Sequence, residues 1–194
     1  YTSTQCIIST GRSGSKWMES VCSNLGIETK SDRVDIGVRV ELNADTFSEL
    51  TDSLYESKIV YRSKKYQDRV RTFCMNPRGV VVNENTNGII TVNGHSYEDP
   101  ARFTNNTNFA LLVSKNFTKP FKTPIEYGKQ IAQLSNMLCD GKILVQTFGD
   151  FRRGRRTTEE RLCRNNLIPT LKDAVPGDLS LVFPHRIMAV SYTH

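Results

Sequence analysis

An alternation of apolar and polar residues in the first quarter of the chain constrains the fold most strongly. Between residues 34 and 42, apolar side chains take every second position, with polar or small residues between them: Val34, Ile36, Val38, Val40 and Leu42. This period of two predicts a strand with one face in a core. Further short strands are predicted over 58–62, 69–75, 79–83, 88–92 and 108–114. Such strands predict an antiparallel sheet or small barrel.

Two turn sequences connect these strands. Asn76-Pro77-Arg78-Gly79 and Asn87-Gly88 contain residues that suit tight bends, so both are predicted as hairpin connections. Helices are predicted on either side of the strands. An apolar repeat that stops at Gly26 predicts a helix over 15–25, and Pro124 begins a second one that runs through Leu138. Weaker patterns predict short helices over 46–54 and after 157–160, and a strand over 142–147; no clear element is predicted at the end.

Together these elements predict an α+β fold with an antiparallel β-sheet or small barrel and flanking helices. One β-turn-α unit precedes the sheet, made of a strand over 5–9 and the first helix. Three regions are expected: 1–30, a β-rich region over 31–118, and a helical and mixed region over 119–194.

Charge and cysteine content limit the possible partners. The formal net charge of +6 favours anionic partners, and between residues 142 and 173 Lys and Arg outnumber Asp and Glu by eight to four. Five cysteines without a Cys-x-x-Cys pair argue against a disulfide framework and a zinc site, and predict a reducing, cytoplasmic setting. No apolar run is long enough for a membrane span, so no membrane partner is expected.

The turn after the predicted first strand has the composition of a phosphate loop. Its residues are Thr10, Gly11, Arg12, Ser13 and Gly14. A glycine turn before a helix offers unpaired N–H groups to an anion. The spacing is not that of a Walker loop. The run from Arg12 to Trp17 resembles the phosphosulfate loop of sulfotransferases, and 10–14 also resembles a turn in flavoproteins with two dinucleotide folds.

Five ordered stretches extend the second resemblance over most of the chain, at 34–41, 70–79, 91–96, 107–113 and 146–150. In this order they resemble an uncharacterised family of bacterial FAD-dependent dehydrogenases. The resemblance implies FAD as the cofactor of a parent protein, with Thr10, Gly11, Arg12, Ser13 and Gly14 contacting it. Because the first Gly-x-Gly-x-x-Gly segment of that family is not in the sequence, the chain is expected to be an internal fragment. Its partners would then be the missing FAD-binding segments and a small substrate.

Several residues of the β-rich region are candidates for chemistry. Cys74 lies between Arg71 and Arg78, and cations favour the thiolate form of a cysteine; the alternative is a small buried residue on a strand. His95, in a predicted turn, is a candidate proton donor or acceptor, or a solvated histidine. Arg39, Arg71 and Asn93 are candidate substrate-binding residues, although Arg39 has the alternatives of pairing with Glu41 or with a neighbouring strand.

Three functions therefore remain open at the level of sequence. The first is the substrate-side part of an FAD-dependent dehydrogenase, inactive by itself. The second is a sulfotransferase-like enzyme that uses the loop from Gly11 to Lys16 for a phosphosulfate donor. The third is a basic RNA-binding module that uses the arginines of 152–156, although few aromatic residues accompany them.

Overall fold

The computed structural model describes residues 2–30 and 33–192, and the chain divides into two compact units, 1–32 and 33–194. In the first unit, one turn of 3-10 helix, Arg12–Gly14, leads into helix α1, Ser15–Asn24, which confirms the predicted helix. The strand predicted over 5–9 is not formed. A strand needs a neighbour for its backbone N–H and C=O groups, and none of the described residues pairs with this segment.

The second unit contains all the strands of the described chain and five further helices, and its mixed composition confirms the α+β class. In chain order these elements are β1 Val34–Asn43, α2 Ser48–Thr51, β2 Val60–Arg62, β3 Arg69–Asn76, β4 Val80–Thr86, β5 Ile89–His95, β6 Asn106–Lys115, α3 Pro124–Leu138, β7 Leu144–Val145, α4 Phe148–Arg152, α5 Glu159–Cys163, β8 Val175–Pro176 and α6 His185–Tyr192.

The main sheet is antiparallel and open, with the strand order β1-β6-β3-β2. The two long strands β1 and β6 pair over their whole length, from Val34 opposite Lys115 to Asn43 opposite Asn106. Strands β4 and β5 form a separate antiparallel hairpin, and β7 pairs with β8 in parallel.

One of the two predicted hairpins is confirmed and the other is wrong. Asn87 and Gly88 connect β4 to β5 with positive φ angles of 54° and 81°, as a tight two-residue turn requires. The turn at 76–79 connects strands in different sheets, because β3 pairs with β2 and β6 while β4 pairs with β5. The long strand β6 occupies the edge of β3 on which β4 would have paired.

The hydrophobic core lies on one face of the main sheet, beneath two helices. Ile36, Val70 and Val113, from three adjacent strands, pack against Ile187 and Val190 of α6, and side chains of α3 lie against the same cluster. The sequence predicted no element at the end of the chain, so α6 is a helix that the sequence pattern did not predict. It has only eight residues, too few for a clear apolar repeat.

The boundaries of the longest helix follow from local chemistry. Pro124 stands at the first position of α3, where its missing N–H costs nothing, as predicted. The helix has 15 residues and ends at Leu138. In the described part of the chain, no helix combines the length and apolar character needed to cross a bilayer.

The packing of α6 on the sheet predicts a large effect of shortening one of its side chains. Ile187→Ala should lower the free energy of unfolding by about 2–4 kcal/mol, because Ile187 is 3% exposed and its removal leaves a cavity. Ile168→Ala is the matched control, since Ile168 is 80% exposed, and should change it by less than about 0.5 kcal/mol. Denaturant titration measures both; equal losses would contradict the assignment of α6 to the core.

Candidate functional site

A β-bulge in β3 forms the base of the candidate site. The pairing of β3 with β6 shifts register between Phe73 and Asn76, and Cys74 within the bulge has a φ of 49°. A positive φ is unusual for a residue other than glycine, and it costs of order 1 kcal/mol or more. Bulges redirect backbone groups away from the regular ladder. Here the carbonyl of Cys74 accepts hydrogen bonds from two side chains, those of Arg39 and Asn76.

Arg39 reaches this bulge from β1. It lies on the strand face turned away from the core, because Ile36 and the other apolar residues of the alternation take the opposite face. Its Nε donates to Asn108 Oδ1 at 2.9 Å, and its Nη2 donates to the carbonyl of Cys74 at 2.9 Å. These bonds join β1 to β6 and β3. Of the two alternatives for Arg39, pairing with a neighbouring strand is therefore the one observed.

The guanidinium of Arg39 is half-buried, and no carboxylate lies within 4.0 Å of it among the described residues. Burial lowers its pKa, whereas Cys74 and Glu84 act in the opposite direction. An arginine nevertheless stays protonated at neutral pH. Two of its five N–H groups are used in the two bonds above, which leaves donors of a fixed geometry for an anionic group.

Asn108 is the residue on which these contacts converge. It is 0% exposed, and its Oδ1 accepts from Arg39 and, at 3.4 Å, from Asn76 Nδ2. These two donors fix the orientation of the Asn108 amide, since the reversed amide would direct its own N–H groups at them. Its Nδ2 is consequently buried without a hydrogen-bond partner in the described structure. A buried unpaired donor costs about 1–3 kcal/mol.

The β4–β5 hairpin closes over the same cluster at Gly94. A Cβ atom at Gly94 would lie 2.0 Å from Asn108 Oδ1 and 2.2 Å from Arg39 Nη2, so only glycine allows this approach. The neighbouring Asn93 donates from Nδ2 to Glu84 Oε1 at 2.7 Å, within the hairpin. The structure therefore brings together three of the predicted site residues: Arg39 and Cys74 are in contact, and Asn93 adjoins them through Gly94.

Glu41, the other proposed partner of Arg39, has a different role. Its carboxylate accepts from the backbone N–H and the hydroxyl of Thr170, the latter at 2.6 Å, and from Asn106 Nδ2 at 3.0 Å. Thr170 Oγ1 in turn accepts from the N–H of Val81. Glu41 thus attaches the segment around Thr170 to the sheet and to the hairpin.

Arg71, also predicted to bind substrate, forms a different cluster on the same face. Its Nη2 lies 2.6 Å from Asp35 Oδ2, and its guanidinium stacks on Phe73 with 4.9 Å to the ring centroid. Ser114 Oγ donates to Asp35 Oδ1. Burial raises the pKa of Asp35, but the hydrogen bonds from Ser114 and Arg71 lower it by more, so the carboxyl pKa is below its usual value. Arg71 is neutralised by this pair, unlike Arg39.

His95 is not among the residues that contact Arg39 in the described part of the second unit. The turn predicted at His95 is wrong: His95 is the exposed last residue of β5 and pairs with Val80 in the hairpin. The strand therefore runs three residues beyond its predicted end. The loop 10–14 belongs to the first unit, and its contact with a cofactor stays a prediction.

The cationic neighbours of Cys74 also differ from those predicted. Arg71 contacts Asp35 and Phe73, and the guanidinium of Arg78 lies 3.8 Å from Asp45, whereas the cation bound at Cys74 is Arg39. No local pattern could predict this contact, since 35 residues separate Arg39 from Cys74. Cys74 is half-buried. All five cysteines are free thiols: Cys6, Cys22, Cys74, Cys139 and Cys163.

The arginine run at 152–156 is exposed and partly engaged in local structure. Arg155 forms a close ion pair with the buried carboxylate of Asp150, which also accepts from Thr157, and Arg153 donates to the carbonyl of Gly149. Among the described residues, no group of three or more His, Cys, Asp or Glu side chains is arranged to hold a metal ion.

Comparison with known families gives one match. Residues 33–190 match the model of a family described as FAD-dependent protein, C-terminal domain-like. No curated protein matches the chain at a significant level. The Arg39 site and every strand of the described chain lie inside the matched region, whereas the loop 10–14 lies outside it.

Gly94→Ala should destabilise the domain, because the added Cβ would overlap Arg39 and Asn108 where neither can move freely. We expect the free energy of unfolding to fall by about 1–3 kcal/mol. Gly149→Ala is the control, since a Cβ there would approach only the flexible end of Arg153 and the residue is helical. It should be neutral or slightly stabilising in the same denaturant titration. Tolerance of alanine at position 94 would mean that the hairpin does not pack on Arg39.

The Asp35–Arg71 pair predicts a pH-dependent difference between the wild type and Asp35→Asn. A carboxylate with a lowered folded-state pKa stabilises the fold above its unfolded-state pKa of about 4 and loses that contribution as the pH falls through the folded-state value. Asp35→Asn should therefore lower the free energy of unfolding by about 1–3 kcal/mol at pH 7, and by progressively less below pH ~4.

Asp45→Asn is the control for that measurement, since the Asp45 side chain is 83% exposed and lies 3.8 Å from Arg78. Its effect should stay below about 1 kcal/mol at neutral pH. A cost for Asp35→Asn that stays constant from pH 7 to pH 3 would show that the ion pair does not cause the loss.

Proposed function

The chain belongs to the FAD-dependent protein, C-terminal domain-like family, and from this membership we propose that it forms the substrate-side domain of an FAD-dependent dehydrogenase. The observation that carries the proposal is Arg39, a half-buried cation positioned by Asn108 and Cys74 but lacking a carboxylate partner in the described chain. A cation arranged in this way suits a substrate with a carboxylate or phosphate group. The family match also supports this function over the sulfotransferase-like alternative.

The proposed roles of the residues follow from their contacts. The remaining N–H groups of Arg39 would bind the anionic group of the substrate, and Asn93 would lie near it, beside Gly94. Arg71 would act indirectly, since its charge is already paired with Asp35. FAD, when bound, supplies the two-electron acceptor of such a reaction.

Two further residues are proposed to act near the substrate. Cys74 is a free, half-buried thiol whose unusual backbone conformation is held by Arg39 and Asn76, and it would serve as a redox partner or a proton donor. His95 is exposed at the end of β5, one residue after Gly94, where it would exchange protons with solvent. The hairpin itself, which packs on Arg39 at Gly94, would exclude water from the guanidinium.

The backbone of the loop 10–14 supports the proposed contact of this loop with a phosphate group of FAD. Gly11 has a φ of +64°, and a Cβ there would meet no atom within 4 Å, so its backbone is open to close approach. Gly14 precedes α1 without any side-chain cap, and the first turn of the helix has no acidic residue. The backbone N–H groups of Ser13 and Gly14 would hold the phosphate, as at other helix starts.

We further propose that the domain works with FAD-binding segments of the same polypeptide, in the cytoplasm. The description of the family as a C-terminal domain of FAD-dependent proteins supports the first point. The five free thiols support a reducing compartment.

The test uses the parent polypeptide with its FAD-binding segments, purified as wild type and as Arg39→Met, Arg39→Lys and Arg156→Met. The wild type should be yellow, and a dicarboxylate such as oxalate should bind to it and shift its flavin absorbance. Arg39→Met should keep its flavin but lose at least about tenfold in oxalate affinity, with Arg39→Lys intermediate.

Arg156→Met controls for the loss of one positive charge, since Arg156 is exposed and remote in sequence from the cluster. It should bind oxalate as the wild type does. A colourless parent protein would refute the flavoprotein function. A yellow protein in which Arg39→Met binds oxalate normally would refute only the substrate-binding role of Arg39.

A further inference from the structure

A strongly basic cleft lies at the end of the main sheet where β1 and β3 begin. The cleft has a volume of about 360 Å³, and its charged residues are Arg33, Arg62, Arg69, Lys115, Arg186 and Asp68. The antiparallel register gathers them. Val34, next to Arg33, pairs with Lys115, and Arg62 pairs with Arg69, so four of the cations come from adjacent strand ends. The fifth cation, Arg186, comes from α6, which packs on the core face of the sheet.

Asp68 is the single carboxylate of this cleft, and it positions two of the cations. Lys115 Nζ donates to Asp68 Oδ2 at 2.7 Å, and Arg186 donates to both carboxylate oxygens, at 2.7 and 2.9 Å. Burial raises the pKa of Asp68, but the bonds from Arg186 and Lys115 lower it by more, so it is ionised at neutral pH. Arg186 is held further by the carbonyl of Tyr66, and Arg62 by that of Gln67.

The two remaining cations have no such partner. Within the described ranges, Arg33 and Arg69 form neither an ion pair nor a side-chain hydrogen bond, and both are exposed. The five positive charges of the cleft repel one another, because Asp68 supplies only one negative charge among them. An anion in the cleft would relieve this repulsion and receive charge-assisted hydrogen bonds from guanidinium groups already in place.

We propose that this cleft binds a small anion that carries one or two phosphate groups. Its volume accommodates a diphosphate or a mononucleotide, and the excess of four positive charges matches the charge of such groups. RNA is a poorer match, because none of the lining residues is aromatic and the cations surround one cleft and do not form a stripe. Arg33 of the cleft precedes Arg39 by six residues along an extended chain, a separation of about 20 Å, and the site does not depend on the proposed dehydrogenase function.

Calorimetric titration of the full chain with pyrophosphate, in phosphate-free buffer, tests the proposal. We expect one site per chain, with an affinity that falls as salt is added. The double variant Arg33→Gln/Arg69→Gln should bind pyrophosphate at least about tenfold more weakly, since it removes the two unpaired cations. Its thermal unfolding without ligand should stay close to that of the wild type, because among the described residues neither side chain forms an ion pair or a side-chain hydrogen bond, and Arg33 acts on Asp35 only through its charge.

Arg152→Gln/Arg156→Gln is the matched control, with the same change in net charge at exposed positions outside the cleft. It should alter the affinity by less than about twofold. No saturable binding, or equal weakening by both double variants, would overturn the proposal. Tight binding of a single-stranded RNA without binding of pyrophosphate would also overturn it.

Competition against bound pyrophosphate identifies the kind of phosphate compound that the cleft binds. FAD that displaces pyrophosphate from the wild type, while riboflavin does not, would assign the cleft to the diphosphate of a dinucleotide. Displacement by AMP or inorganic phosphate but not by FAD would assign it to a smaller free phosphate compound. Displacement by riboflavin, which has no phosphate, would contradict a phosphate site.

Discussion

The arrangement of the candidate site depends on the two hydrogen bonds of the Arg39 guanidinium. They join β1 to Asn108 on β6 and to the bulge at Cys74 on β3, and the hairpin packs on the same group through Gly94. Because the bulge breaks the regular ladder between β3 and β6, the carbonyl of Cys74 needs a donor from elsewhere. The cost of a positive φ at Cys74 is therefore offset by a charge-assisted hydrogen bond.

The two faces of the main sheet differ: one packs in the hydrophobic core and the other carries polar clusters. One face carries Ile36, Val70 and Val113 under α3 and α6, and it requires only apolar residues of suitable volume. The other face carries both the Asp35–Arg71 pair and the Arg39 cluster. Since an antiparallel strand alternates strictly between the two faces, the same residues that form the core determine which polar side chains face the hairpin.

The two ends of the sheet differ in charge for the same reason. Antiparallel register places the first residues of β1 beside the last residues of β6, which concentrates cations around Asp68 at one end. Toward the other end lie amide side chains, among them Asn76 and Asn108, next to Arg39. The basic cleft and the Arg39 site are thus separate features of one scaffold.

The local sequence was sufficient to predict the strand over 34–42, the turn at Asn87-Gly88 and the start of a helix at Pro124. Each of these features depends on residues that are neighbours in the chain. The local sequence failed for the turn at 76–79 and for His95, where pairing with distant strands overrode the turn sequence. Sequence alone marked Arg39 and Arg71 as equivalent arginines in strands. Only the tertiary structure distinguished them, because it brings the Asp35 carboxylate into contact with Arg71, whereas the described hydrogen bonds of Arg39 go to an amide and a carbonyl oxygen.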